Sequence, residues 1–343
     1  MQHQLSYRDI KAAAGRIAGT VRPVALAPAD PGTGGGGGGD PRDRQVWFAL
    51  EHLQHTGSFK ARGAQNFLAA HREAGTLPAA GVTIASGGNA GLACAWSAAR
   101  QGVPATVFLP ATAPAVKVAR LRSYGARVRL VGSEYAQALA ACEEHAAATG
   151  ALASHAYDHP LIAAGAGTLL DEILLRVPDL DTVLVAVGGG GLLAGVATAA
   201  REHGVRTVAV EPADCRALNA ALAAGEPVDV PVRSVAADSL GARRVTRLAL
   251  DAARGGSPGG ALDGALDGGV HSVLVADSAI VRARQELWDG YRLAVEHAAA
   301  TAYAALDTPP TAGARRIAVI LCGANADPAD LAAPAAPAPD PTG

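Results

Sequence analysis

The chain has 343 residues, half of them hydrophobic, and a formal net charge of −2. That is ample for a core and more than one ordinary domain, and the near-neutral charge gives no electrostatic case for nucleic acid or an anionic membrane as a partner. The start Met1-Gln-His-Gln-Leu-Ser6 lacks the features of a secretory signal, and Cys94, Cys142, Cys215 and Cys322 form no C-x-x-C pair, so reduced thiols in the cytoplasm and no zinc site are expected.

Tyr7–Ala18 reads as an opening amphipathic helix. The glycine run in Gly32–Asp40 is low-complexity and predicts a mobile surface loop; with no strand leading in and no helix following, it does not suit a phosphate. Val46–Leu53 reads as a strand. It leads into His55-Thr-Gly-Ser-Phe-Lys60-Ala-Arg-Gly63, where Phe59, Ala61, Ala64, Phe67 and Leu68 fall at helical spacing. Thr56 or Ser58 is the expected cap, because a hydroxyl satisfies free N–H groups at a helix start. Lys60 then sits in the first turn, where the helix dipole disfavours a cation, and function is one reason to accept that placement. Lysine occurs elsewhere only as Lys11 and Lys117. Arginine keeps its proton and forms no imine with an aldehyde at neutral pH, whereas a desolvated lysine can.

From there strand and helix alternate. Val82–Ala85, Pro104–Leu109 and Ala126–Val131 read as strands, with helices over Ala90–Gln101, Ala115–Tyr124 and Tyr135–Ala148. His155 and His159 are four apart, but Pro160 follows directly and the segment reads as loop rather than as a metal site. Strands over Thr182–Val187, Arg206–Val210, Val270–Val275 and Ile317–Leu321 make a second set, covered by helices near 160–176, 192–203, 214–223, 238–252, 278–290 and 296–306. The apolar window Val183–Ala200 has glycines at its centre and reads as a buried βα unit, not a membrane span. The tail from Pro328 is Ala/Pro-rich and predicts disorder.

Two strand–turn–helix stretches resemble each other: Thr83-Ile-Ala-Ser-Gly-Gly-Asn-Ala-Gly-Leu92 and Val183-Leu-Val-Ala-Val-Gly-Gly-Gly-Gly-Leu192. Consecutive glycines before a helix let bare N–H groups converge on an anion. Neither stretch has the dinucleotide G-x-G-x-x-G spacing or the P-loop pattern.

Taken in order, the Thr56-Gly-Ser-Phe-Lys60 lysine, the Ser86-Gly-Gly-Asn89 turn, the tetraglycine Gly188–Gly191 and the late Leu321-Cys-Gly-Ala-Asn325 resemble the fold-type II pyridoxal-phosphate enzymes, in particular the serine/threonine dehydratase branch. The resemblance runs from about Tyr7 to about Asp327. It implies an α/β fold of the tryptophan synthase beta-like kind, with two open, twisted, mostly parallel sheets flanked by helices. It also implies a large cofactor domain from 1–53 and 157–327, a small α/β domain from 54–156, and a disordered tail at 328–343. No regulatory domain is expected after the catalytic core.

The resemblance implies pyridoxal 5'-phosphate as cofactor and assigns roles to residues. Lys60 links to the cofactor aldehyde and Phe59 lies beside the ring. Gly188, Gly189, Gly190 and Gly191 offer N–H groups to the phosphate, with Leu192 opening the helix behind them. Asn89 donates to the ring hydroxyl and Cys322 faces the ring nitrogen; a neutral thiol there makes the ring a weaker electron sink, which suits elimination. The Ser86–Ala90 turn (Ser86, Gly87, Asn89 and Ala90) takes the substrate carboxylate, and Glu296 lies near the substrate. Lys60 and Ser86 are the catalytic candidates. This chain departs from the family at Pro23-Val-Ala-Leu26, where Thr-Pro-Leu is usual, and at His297, where proline is frequent. Glu211 matches the first ligand of a cation site seen in some relatives, but Ala217 stands where the second acid belongs, so no metal is expected.

The implied activity is dehydration of L-threonine or L-serine to the 2-oxo acid and ammonia by α,β-elimination, in a cytoplasmic homodimer acting on a small amino acid. Three alternatives remain at this stage. A β-replacement enzyme usually shows Asn-x-x-x-Ser-x-Lys-x-Arg and TSGNTG, unlike this chain. A racemase carries a serine where this chain has Gly87. The third is a non-catalytic ligand-binding or NAD-dependent protein.

Overall fold

The computed structural model describes residues 4–30, 44–255 and 269–332. The expected loop at Gly32–Asp40 lies outside the described residues. In chain order the first elements are α1 (Tyr7–Ile17), β1 (Leu26–Pro28), β2 (Gln45–Ala49), α2 (Lys60–Glu73), β3 (Val82–Ala85), α3 (Asn89–Gln101), β4 (Ala105–Leu109), α4 (Ala115–Ser123), β5 (Arg127–Leu130), α5 (Tyr135–Thr149) and β6 (Leu152–Ala153). There follow α6 (Pro160–Leu174), β7 (Thr182–Ala186), α7 (Gly191–Glu202), β8 (Arg206–Pro212), α8 (Ala217–Ala224), α9 (Ala237–Leu240), α10 (Arg247–Ala253), β9 (Val270–Val275), α11 (Asp277–Tyr291), α12 (His297–Tyr303), β10 (Arg316–Ile320) and α13 (Ala329–Ala332).

The strands form two sheets, one of six in the order β1-β2-β10-β7-β8-β9 and one of four in the order β5-β4-β3-β6. Every pairing is parallel except β1 with β2. Parallel sheets need both faces covered, so their central strands are apolar throughout. Val183-Leu-Val-Ala186 in β7 and Ala105-Thr-Val-Phe-Leu109 in β4 are buried at every position. The larger sheet has one core, drawn from α1, α6, α7, α11 and α12; the smaller has its own, around Phe67, Ile84, Val107 and Leu121. The architecture is α/β with helices flanking both sheets, as expected.

The motif-bearing turns leave the carboxyl ends of parallel strands: Ser86 after β3, Gly188 after β7, Cys322 after β10, and the segment to Lys60 after β2. In open α/β sheets that is where ligands bind.

Four local expectations are corrected. The strand from Val46 ends at Ala49, and a 3-10 turn takes Glu51–Leu53, because His52 N–H turns to bond Leu321 O at 2.8 Å instead of continuing the ladder. Neither Thr56 nor Ser58 caps α2; its N-cap is Phe59, with no side-chain cap. Ser58 is extended and bridged to Gly323, and Phe59 N–H donates to Cys322 O at 3.0 Å, so the residues before α2 are claimed by the end of β10. The helix expected over 238–252 is two, α9 and α10, separated by a turn in which Thr246 caps α10 through its hydroxyl. The tail expected to be disordered from Pro328 begins with α13, where Leu331 is buried; the rest of it lies outside the described residues. Among the described residues, no helix is long and apolar enough to cross a membrane.

Candidate active site

Lys60 opens α2 and points its Nζ at the loop between β6 and α6, donating to Ala156 O at 2.9 Å. The Nζ lies 4.9 Å from the centre of the Phe59 ring and 5.9 Å from that of Tyr157. Desolvation lowers its pKa from the ordinary 10.5 to about 8, outweighing the attraction of Cys322 and Glu296. The other two lysines differ in kind. Lys11 pairs with Asp171 at 3.4 Å and Lys117 with Asp238 at 2.8 Å, both at the surface.

The tetraglycine follows β7 and ends as the N-terminus of α7. Gly190 is the N-cap with φ 95°, a left-handed conformation that costs glycine nothing. Among the described residues, no acceptor lies on the N–H groups of Gly188, Gly189, Gly190 or Gly191. Four free donors at the start of a 12-residue helix form an anion cradle. The protein fills the other side. A Cβ on Gly189 would lie 2.3 Å from the Tyr157 ring, and one on Gly190 would lie 2.3 Å from Ala249 Cβ.

The Ser86–Ala90 turn repeats this arrangement at the start of α3. The N–H groups of Gly87, Gly88, Asn89 and Ala90 also have no acceptor among the described residues. Ser86 is half-buried beside them. At Gly87 the Cβ direction is occupied by Leu109, whose Cδ2 would be 2.8 Å away.

Asn89 Nδ2 donates to both carboxylate oxygens of Glu296, at 2.9 and 3.1 Å. Glu296 is buried just before α12, and burial pushes its pKa up against the hydrogen bonds from Asn89 and Asn325. Cys322 is buried two residues beyond β10. Burial, and then the charge of Glu296, push its pKa far above the thiol range, so it stays a neutral thiol. Glu211 is spent on the fold: its carboxylate accepts from Leu218 N–H at 2.7 Å and Asn219 N–H at 2.8 Å, capping α8, and desolvation raises its pKa to about 7.

Lys60, Phe59, Asn89, Glu296 and Cys322 thus come together, with the glycine cradle joined to Lys60 through Tyr157. Sequence reasoning missed Tyr157, the Ala156 carbonyl, Leu109 and the side chain of Asn325. Tyr157 left a faint signal, since aromatics make up only 4% of the chain and this one falls in a polar loop. The others left none.

Residues 38–323 match the family model described as pyridoxal-phosphate dependent enzyme. The chain is 44% identical over 203 residues to an L-threonine ammonia-lyase of Geobacter sulfurreducens; the match takes in 58% of this chain and half of that relative. It is 35% identical over 297 residues to a human serine dehydratase-like protein, covering 82% of this chain and 85% of the relative. Among solved structures, maize serine racemase superposes with a TM-score of 0.81 at 27% identity, over 95% of this chain and 96% of that one.

Proposed function

Because the chain belongs to the pyridoxal-phosphate dependent enzyme family, we propose that it is a lyase converting L-threonine or L-serine to the 2-oxo acid and ammonia by α,β-elimination. The observation that carries this reading is a lysine amine lowered to about 8, joined through Tyr157 to one helix N-terminus and through Glu296 to another, whose leading N–H groups have no acceptor among the described residues. Those groups fit the cofactor: one cradle suits its phosphate, the other suits a substrate carboxylate, and Lys60 is the amine its aldehyde requires.

When bound, pyridoxal phosphate supplies an aldehyde for the amine and a ring that draws electrons from Cα. The protein does the rest. Gly188, Gly189, Gly190 and Gly191 would hold the phosphate, with the dipole of α7 and Leu192 behind them. Phe59, beside Lys60 Nζ, would flank the ring, and Asn89, whose Nδ2 now donates to Glu296, would turn an amide N–H to the ring hydroxyl. Cys322, a neutral thiol, would leave the ring nitrogen without a counter-charge. Ser86, Gly87, Asn89 and Ala90 bind the substrate carboxylate, with Glu296 alongside. Lys60 Nζ takes the Cα proton, and its depressed pKa keeps a useful share of neutral base near neutral pH.

Residues 1–53 with 157–327 as the large domain, and 54–156 as the small one, complete the reading. The separate hydrophobic cores of the two sheets support that division. We also place the protein in the cytoplasm as a homodimer; its four free, buried cysteines suit a reducing compartment.

Lys60 gives a pH test. Only the neutral amine reacts, and the folded pKa is lowered. Cofactor uptake by the apo-protein should therefore quicken as pH rises and level off above about 8. An ordinary lysine would keep gaining up to 10.5. A stopped-flow record of uptake against pH separates the two.

The racemase alternative turns on Gly87. Returning a proton to the face opposite Lys60 needs an acid there, and Gly87 has no side chain to supply one; a Cβ at 87 would meet only the tip of Leu109, Cδ2 at 2.8 Å. A positioned acid contributes roughly 10²–10⁴-fold, so L-serine should yield pyruvate with little D-serine. Chiral chromatography before substrate is exhausted decides it; D-serine accumulating as fast as pyruvate would move the protein to the racemases.

A further inference from the structure

Asn325 closes the Leu321-Cys-Gly-Ala-Asn325 stretch and has no part in the reading above, yet it touches three pieces of the site. Its Nδ2 donates to Thr56 O at 2.8 Å and also to Asn89 Oδ1. Its backbone N–H donates to Glu296 Oε2 at 3.3 Å. Asn89 Nδ2 continues the chain to both oxygens of Glu296.

The polarity of this chain is determined at its ends. A peptide carbonyl and a carboxylate both accept, so each must face an amide nitrogen. Asn325 therefore turns its NH₂ toward Thr56 O and Asn89 Oδ1, and Asn89 is left with its own NH₂ on the Glu296 side. Reversing either amide would set oxygen against oxygen. The backbone makes room for this arrangement. Thr56 adopts φ 64°, uncommon for a residue with a side chain. Next to it, a Cβ on Gly57 would lie 2.8 Å from Asn325 Oδ1. Ala324 N–H also donates to Gly57 O at 2.9 Å, so the turn before Lys60 is gripped twice by the segment after β10.

We propose that Asn325 is a positioning residue: it fixes the Asn89 amide with its NH₂ on the Glu296 side, the side whose carboxylate also acts on Lys60 and Cys322, and it holds the Thr56 turn that delivers Lys60. This rests on the dehydratase reading, because the value of an oriented Asn89 lies in the ring hydroxyl it would meet.

The test compares wild-type holoenzyme with Asn325→Asp and Asn325→Ala. The aspartate keeps the shape and turns both donors into acceptors; the alanine only removes them. Both variants should still trap pyridoxal phosphate on Lys60 with borohydride. Both should lose at least about tenfold in kcat, the scale of one positioned hydrogen bond, with a smaller change in KM. The visible absorbance of the bound cofactor should titrate at a shifted pH, and the aspartate should be the worse of the two because it repels Asn89 Oδ1. Kinetics and absorbance like wild type overturn the proposal. So does a loss that merely follows the melting temperature with the absorbance titration unchanged. If wild type itself takes up no pyridoxal phosphate, the functional reading falls and this proposal with it; a normal wild type beside unaffected variants removes this proposal alone.

Discussion

Lys60→Ala is expected to carry no covalently linked cofactor and to lose at least roughly 10²–10⁴-fold in dehydration, the usual worth of a positioned proton-transfer group. Lys60→Arg should fail as well, although it preserves the charge, because a guanidinium neither gives up its proton nor links to an aldehyde. The three lysines make the test sharp. Lys11 and Lys117 are paired with carboxylates at the surface, whereas desolvation lowers the pKa of Lys60 to about 8. Borohydride reduction of the loaded wild-type protein, followed by peptide mass mapping, should place the adduct on the peptide containing Lys60. An adduct on Lys11 or Lys117, or one that survives in Lys60→Ala, would show that the wrong amine has been assigned.

Arg62→Ala should cost about 3–5 kcal/mol of folding stability, the typical effect of stripping one partner from a buried ion pair. Arg62 is fully buried one half-turn from Lys60. Its guanidinium forks onto Glu51, Nε to Oε2 and Nη2 to Oε1, both at 2.8 Å. It also reaches Glu172 at 2.6 and 2.9 Å and Thr168 at 3.2 Å on α6. Truncation leaves two carboxylates facing each other, and the one on Glu51 is only 1% exposed. Such a loss is a large share of what holds an ordinary domain folded. Arg62→Lys keeps the charge but not the fork, so it should be milder. Urea titration of the three proteins measures both effects. A midpoint for Arg62→Ala within error of wild type would mean that the network contributes nothing net.

The glycine loop shows how a correct motif can carry an incomplete reason. From the sequence, Gly188–Gly191 looks like backbone bared for a phosphate. The N–H groups have no acceptor among the described residues, but the missing side chains are also required by the protein itself: Tyr157 lies where Gly189 and Gly191 would carry a Cβ, and Ala249 with Val245 crowds Gly190. Substitution at Gly190 should therefore damage the packing of α10 as much as any phosphate contact.

The sequence alone determined the alternation of strand and helix, the two groups of strands, and Lys60 as a candidate; Asn89, Glu296 and Cys322 entered as what the family resemblance implies. Hydrophobic period and glycine–helix junctions are local properties, readable from neighbouring residues. It misjudged places where distant backbone takes over: the start of α2, claimed by Cys322 and Gly323; the single helix expected over 238–252; and the tail, where Leu331 is buried. Tertiary structure alone decided that Arg62 is the buried tie between α2 and α6, that Leu109 fills the space beside Gly87, and that Asn325 orients Asn89. Each of these depends on atoms brought within a few ångströms from positions 11 to 236 residues apart in the chain. Contacts of that kind leave no periodicity and no spacing, because they are set by how the elements pack and not by the order of residues within any one of them.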